Sequence, residues 1–114
     1  LIALAATIYM ETMGKAGLQE VAIQNAQKTA YAAKRISEID GFEIAFSAPK
    51  FNEFVVRASE PATEILEKIR SAAGIIGGLA LSKYYPERRN EFLVCVTETR
   101  PRSEIDGLVA ALAA

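Results

Sequence analysis

Thr97-Glu98-Thr99-Arg100 follows the most apolar run of the chain, Phe92-Leu93-Val94-Cys95-Val96. Hydroxyls, a carboxylate and a guanidinium thus stand where a buried strand ends, and sheet-based sites often gather polar groups at the C-terminal ends of strands. The planar fork of Arg100 can hold an external carboxylate through two parallel bonds or pair locally with Glu98. Arg57 ends its own predicted strand beside apolar residues and presents the same choice. For both arginines the sequence leaves the binding and structural readings open.

Other chemistry finds little support. The chain has no histidine, so the usual general base and the usual zinc nitrogen ligand are missing, and no metal site is expected. Cys95 has no flanking cation to favour a thiolate and reads as a buried core thiol. Lys15, Lys28, Lys34, Lys50, Lys68 and Lys83 lie on predicted helix faces or in loops, none in a context that argues a Schiff base. Gly74-Ile75-Ile76-Gly77-Gly78 follows a helix rather than a strand and lacks the Lys-Ser/Thr ending of a phosphate loop. Its glycines read as a turn needing positive φ or close backbone approach. Arg88, Arg89, Arg100 and Arg102 stand near Tyr84 and Tyr85, but Glu87, Glu91, Glu98 and Glu104 intervene. That pattern describes a solvated or interface-lining loop better than a nucleic-acid surface.

The elements that position these residues follow from periodicity. Leu1, Leu4, Ala5, Ile8 and Tyr9 recur at helical spacing until Gly14 breaks the pattern. A second helix runs from Gly17 to Glu38, its small residues suited to close packing and Lys34 and Arg35 near its C-terminal dipole. Asp40-Gly41 marks a turn into a strand at Phe42–Phe46. A second strand at Phe51–Ala58 returns too soon for a parallel crossover, so the pair is an antiparallel hairpin. Ser59-Glu60-Pro61 opens a helix that Gly74 ends, with Ile65, Leu66, Ile69 and Ala73 toward the core. Residues 75–89 form a long irregular excursion with a binding or docking role. Phe92–Val96 is the central strand, covered on at least one face. Ser103-Glu104-Ile105-Asp106 opens the last helix in a near capping box. One domain of α/β class, an α+β two-layer arrangement spanning 1–114, results.

Among the 114 residues, 51% are hydrophobic and 24% charged, a globular mixture, and the net charge is -1. Neither nucleic acid nor an anionic membrane is attracted by that balance. It favours instead a surface partly covered by a partner domain or subunit. A single cysteine forms no internal disulfide, consistent with a cytoplasmic origin. Leu1–Met10 is interrupted by Glu11 well before the roughly 20 residues a bilayer requires, so it reads as a core helix at a cut boundary, with neither signal peptide nor membrane span. Its uncovered stripe predicts self-association of the isolated chain.

Four stretches, taken together, resemble one family. They are Met13-Gly14-Lys15-Ala16-Gly17-Leu18, Phe51-Asn52-Glu53-Phe54-Val55-Val56, Gly77-Gly78-Leu79-Ala80-Leu81 leading into Tyr84-Tyr85-Pro86, and Asn90 through Glu98 continuing to Glu104-Ile105-Asp106. In order, they resemble the C-terminal domain of subunit 1 of the split glycine dehydrogenases (decarboxylating), the P-proteins of the glycine cleavage system. The resemblance implies a small C-terminal domain of the aspartate-aminotransferase-like, fold-type I class, with a mostly antiparallel sheet against helices. It implies an oxidoreductase of glycine catabolism that decarboxylates glycine and passes the aminomethyl group to the lipoyl arm of H-protein. It also implies pyridoxal phosphate held by a lysine of subunit 2, no cofactor in this stretch, a role in assembly and cleft shape, and no activity of this stretch alone. Asn52, Glu53, Thr97 and Glu98 carry over as family-like positions, joining Arg57 and Arg100 as cleft or structural candidates. Alternatives are the small domain of another fold-type I enzyme, of the cysteine desulfurase or aminotransferase type, and a non-catalytic regulatory or protein-binding module.

Overall fold

The computed structural model describes residues 1–114. Helix α1 spans Ile2–Ser37 and is broken at Gly14, whose φ of 61° and ψ of -177° leave the helical region. Only glycine adopts that conformation without strain. The two predicted helices are therefore two arms meeting at that residue. Lys34 and Arg35 occupy the last turn, as expected from the dipole.

Strands β1 (Phe42–Ile44) and β2 (Glu53–Ala58) pair antiparallel, with Glu43 opposite Arg57. Helix α2 (Ala62–Ala73) follows, then a two-residue strand β3 (Leu79–Ala80), a 3-10 turn (Leu81–Lys83), β4 (Glu91–Cys95) and helix α3 (Arg102–Ala113). The sheet order is β1-β2-β4-β3 and every pairing is antiparallel. The expectation of a two-layer α/β fold with β4 inside the sheet holds. β1 is shorter than predicted, and Phe46 lies beyond it, exposed. The irregular excursion contains β3, too short to leave an alternating pattern.

Two predicted caps are corrected. Neither Ser59 nor Ser103 caps a helix; α2 and α3 start directly after Pro61 and Pro101, with no side-chain cap bond. Each proline is extended, its carbonyl accepting from the N–H four residues on, Ile65 at 3.2 Å and Ile105 at 3.3 Å. A ring-fixed φ and the lack of an N–H cost nothing at that position.

Alternation along the strands sorts the two faces. Phe54, Val56 and Ala58 of β2, with Phe92 and Val94 of β4 and Val96 beyond it, are buried beneath Ala32, Ala33 and Ile36 of α1, Ile65 and Ile69 of α2, and Ile105, Val109 and Leu112 of α3. The opposite face carries no helix. It presents Glu53 beside Cys95, Val55 beside Leu93, and Arg57 beside Glu91. Cys95 is exposed there, contrary to the buried thiol expected. The apolar identity of Leu93 and Cys95 conceals the alternation that turns both residues to the open side.

Candidate functional site

Five of the six candidate residues gather at one end of the sheet. Asn52 precedes β2, and its carbonyl accepts from the Val96 N–H at 2.9 Å. Glu53 pairs in register with Cys95. Thr97, Glu98 and Arg100 leave β4 at the same end. There α1 supplies three polar side chains at positions i, i+3 and i+4, the spacing of one helix face. Buried Thr29 donates to the Val96 carbonyl at 3.1 Å, buried Asn25 accepts from the Glu98 N–H at 2.5 Å, and the Lys28 ammonium donates to the Glu98 carbonyl. The polypeptide leaving the sheet thus has its backbone groups satisfied by side chains instead of a ladder. Thr97 and Thr99 share a hydroxyl–hydroxyl bond of 2.9 Å.

Arg100 pairs with neither Glu98 nor a remote group. It meets Glu104 at 3.0 Å, one turn into α3, on the rim of a cleft of about 470 Å³ lined by Ile75, Ile76, Cys95, Ile105 and Leu108 among others. The cleft is mainly apolar in its lining and has the size of a small-molecule pocket.

Arg57 stands apart, at the other end of β2. It donates to Glu91 at 2.9 Å and to Glu43 at 2.5 Å, and Arg88 donates to the second oxygen of Glu91 at 2.7 Å. Those bonds, first to Glu91 and then to Glu43, raise the guanidinium's pKa above its ordinary value. Burial pushes the Glu91 carboxyl upward, but the hydrogen bonds from Arg88 and Arg57 outweigh it and hold the group below the usual carboxylate range. The Arg88 guanidinium also stands 5.5 Å from the centre of the Phe46 ring. Arg57 is therefore committed to a structural network.

Sequence reasoning missed Asn25, Lys28 and Glu91. The first two left a signal: polar residues at helical spacing interrupt the small-residue stripe of α1. Glu91, opening a hydrophobic strand, looked like a flanking charge. No three His, Cys, Asp or Glu side chains come together as a metal-holding group, and no helix is long and apolar enough to cross a membrane.

Comparison with known proteins gives these residues a context. The family model for the glycine cleavage system P-protein matches residues 1–112. The chain is 50% identical over 114 residues to the probable glycine dehydrogenase (decarboxylating) subunit 1 of Brevibacillus brevis, covering 100% of this chain and 25% of that protein. It is 45% identical over 112 residues to the protein of the same name from Desulfitobacterium hafniense, covering 98% and 25%. The chain thus spans about a quarter of the length of the curated relatives it matches. Among solved structures, glycine decarboxylase (P-protein) of the glycine cleavage system in inhibitor-bound form superposes with a TM-score of 0.82 at 24% identity, over 93% of this chain and 24% of that one. Mouse CSAD gives 0.72 at 20% identity, over 95% and 25%. At these identities the two structures establish likeness of fold.

Proposed function

The chain belongs to the glycine cleavage system P-protein family, and from that premise we propose that it forms the C-terminal small domain of subunit 1 of a glycine dehydrogenase (decarboxylating). In the assembled cytoplasmic enzyme, glycine loses its carboxyl carbon as carbon dioxide, and the remaining aminomethyl group passes to the lipoyl arm of H-protein. The observation that carries the reading is the match to subunit 1 proteins along the full length of this chain.

Pyridoxal phosphate, the cofactor implied by the family, supplies an electron sink for decarboxylation. The residues present here do not fit it. A lysine that holds the cofactor requires an enclosed, desolvated position, and none of Lys15, Lys28, Lys34, Lys50, Lys68 or Lys83 is buried. Lys28 already donates to the Glu98 carbonyl, and Lys50 to the Ala48 carbonyl at 3.2 Å. The cofactor lysine accordingly belongs to subunit 2 in this reading.

What this domain contributes is shape and assembly. Its uncovered sheet face carries an apolar row of Leu79, Leu93 and Val55 between the Arg57–Glu91 network and the Glu53–Cys95 pair. At the sheet end, side chains of α1 bond the backbone of Val96 and Glu98, and Arg100 and Glu104 flank the apolar cleft. These are features of a cleft wall or docking face, with Asn52, Glu53, Thr97, Glu98 and Arg100 on one side of it.

Exchange of labelled bicarbonate into the carboxyl carbon of glycine tests the proposal, using the full parent chain, its candidate subunit 2, pyridoxal phosphate and H-protein. Exchange that requires both chains supports it. No exchange with folded components transfers the weight to another fold-type I enzyme or a non-catalytic module.

A further inference from the structure

Residues 1–10 carry no charged side chain; the first charge of the chain is Glu11. Their large apolar residues do not keep to one side of the helix. Leu1, Leu4 and Ile8 share one side at helical spacing, Ile2, Tyr9 and Met10 lie around the others, and all six are exposed. A surface helix sets a polar face against its apolar one, whereas a helix apolar all round belongs inside a fold. The hydroxyls agree with that placement. Thr7 donates to the Ala3 carbonyl at 2.9 Å and Thr12 to the Ile8 carbonyl at 2.7 Å, so neither requires water.

These observations select among the possible covers. At 1.5 Å per residue the stretch is about 15 Å long, half the hydrocarbon thickness of a bilayer. Twofold pairing with a second copy covers one side of each arm and leaves the other in water. A surrounding fold covers every side. This chain covers 25% of each of two curated relatives, so the greater part of their length lies outside it. In the subunit 1 reading that part precedes Leu1 and is joined to the arm, and a tethered partner outcompetes a free one through its effective concentration.

The bend in α1 belongs to the same arrangement. Nothing crowds it: a Cβ on Gly14 would meet no atom within 4 Å, and α1 contains no proline. Two glycines permit it. Gly14 supplies the dihedrals, and Gly17 leaves room for Met13, whose Cβ and Cε would each stand 3.3 Å from a Cβ at residue 17. Residues four apart on an unbroken helix keep their Cβ atoms about 5–6 Å apart, so this closeness is a product of the bend.

We propose that residues 1–10 are a core helix of the remaining part of the same chain, enclosed by it on all sides, and that Gly14 and Gly17 form an elbow setting the angle at which this domain is carried. The inference rests on the subunit 1 reading, which supplies the enclosing part.

Thermal unfolding of full-length subunit 1, over a range of concentrations and with or without candidate subunit 2, tests the enclosure. Ile8→Ala and Met10→Ala, on different sides of the arm, should each lower Tm by about 3 °C or more, at every concentration and without subunit 2. A loss for Ile8→Ala alone means a one-sided contact and overturns the proposal. So does a loss that fades on dilution, which assigns the cover to a second copy, a loss seen only with subunit 2, or no loss at all. Small-angle scattering of the same full-length chain tests the elbow. Gly14→Ala should change the profile by straightening the helix, and Gly17→Ala should change it in the same sense by less. Gly74→Ala, at another uncrowded glycine of positive φ, should not. An unchanged profile for Gly14→Ala overturns the elbow. All these results leave the subunit 1 reading to bicarbonate exchange by the wild-type chains; if folded wild-type chains show none, that reading fails and the proposal goes with it.

Discussion

Glu91 is the residue at which electrostatics and packing meet. Its side chain is 9% exposed, while those of Arg57 and Arg88 are 46% and 37% exposed. Removing one member of a fully buried pair costs about 3–5 kcal/mol, but both guanidiniums here can rehydrate, so Glu91→Gln should cost about 1–2 kcal/mol in denaturant unfolding. The pH dependence follows from the lowered carboxyl pKa. A depressed folded-state value contributes stability that is complete above the unfolded value, near the ordinary 4.5, and is lost as pH falls through the folded one. The Tm gap between wild type and Glu91→Gln should therefore narrow below about pH 4. A constant gap would place the cost in packing instead. Gly78 raises a second residue-scale question, because a Cβ there would stand 2.5 Å from the Leu93 carbonyl oxygen and 3.2 Å from the Phe92 ring. Gly78→Ala should push β3 from β4 and cost about 1–3 kcal/mol, read as a lower urea midpoint. The sequence foresaw close approach among these glycines without locating it. It misplaced Cys95 because a cysteine beside Leu93 and Val94 reads the same whether the strand is covered on one face or two.

At the scale of elements, α1 holds the sheet end together through polar side chains in an otherwise small and apolar stripe. Thr29 is fully buried and donates to the Val96 carbonyl. Thr29→Val preserves shape and leaves that carbonyl short of a donor, so it should destabilise by about 1–2 kcal/mol. Amide exchange should rise locally at residues 96–98 before it rises elsewhere; uniform acceleration across the sheet would argue against a local clamp. The helices and the β1–β2 hairpin were legible because period and turn chemistry act locally. Helix starts were read two residues off in each case, since Ser59 and Ser103 advertised caps while Pro61 and Pro101 set the first turns. The i, i+3, i+4 set of Asn25, Lys28 and Thr29 gained meaning only when residues 67 to 73 positions away came to face it. No local pattern encodes that meeting, and comparable separations of 75 and 71 positions divide Tyr31 and Arg35 from Asp106 on α3.

For the whole molecule, the N-terminal arm of α1 dominates the shape. The longest axis is 45 Å against 30 and 28 Å, and residues 1–10 are all exposed. Leu4 and Ile8 retain 59% and 57% of their accessible surface. The helical stripe legible in the sequence is real, yet nothing in the chain covers it. An exposed apolar stripe on a protein of net charge -1 meets little electrostatic repulsion from a second copy, so pairing of two arms buries apolar surface at about 25 cal/mol per Å² with slight opposition. The isolated 114-residue chain should therefore self-associate with rising concentration, as light scattering would report. Leu4→Glu with Ile8→Glu places two carboxylates on the stripe without touching the core, and should return the chain to a monomer while the unfolding midpoint of the domain stays within about 0.5 kcal/mol of its value for a monomeric reference at high dilution. A wild-type chain that stays monomeric at high concentration would mean the arm folds back or frays in solution, and its stripe would then need another explanation than a missing neighbour.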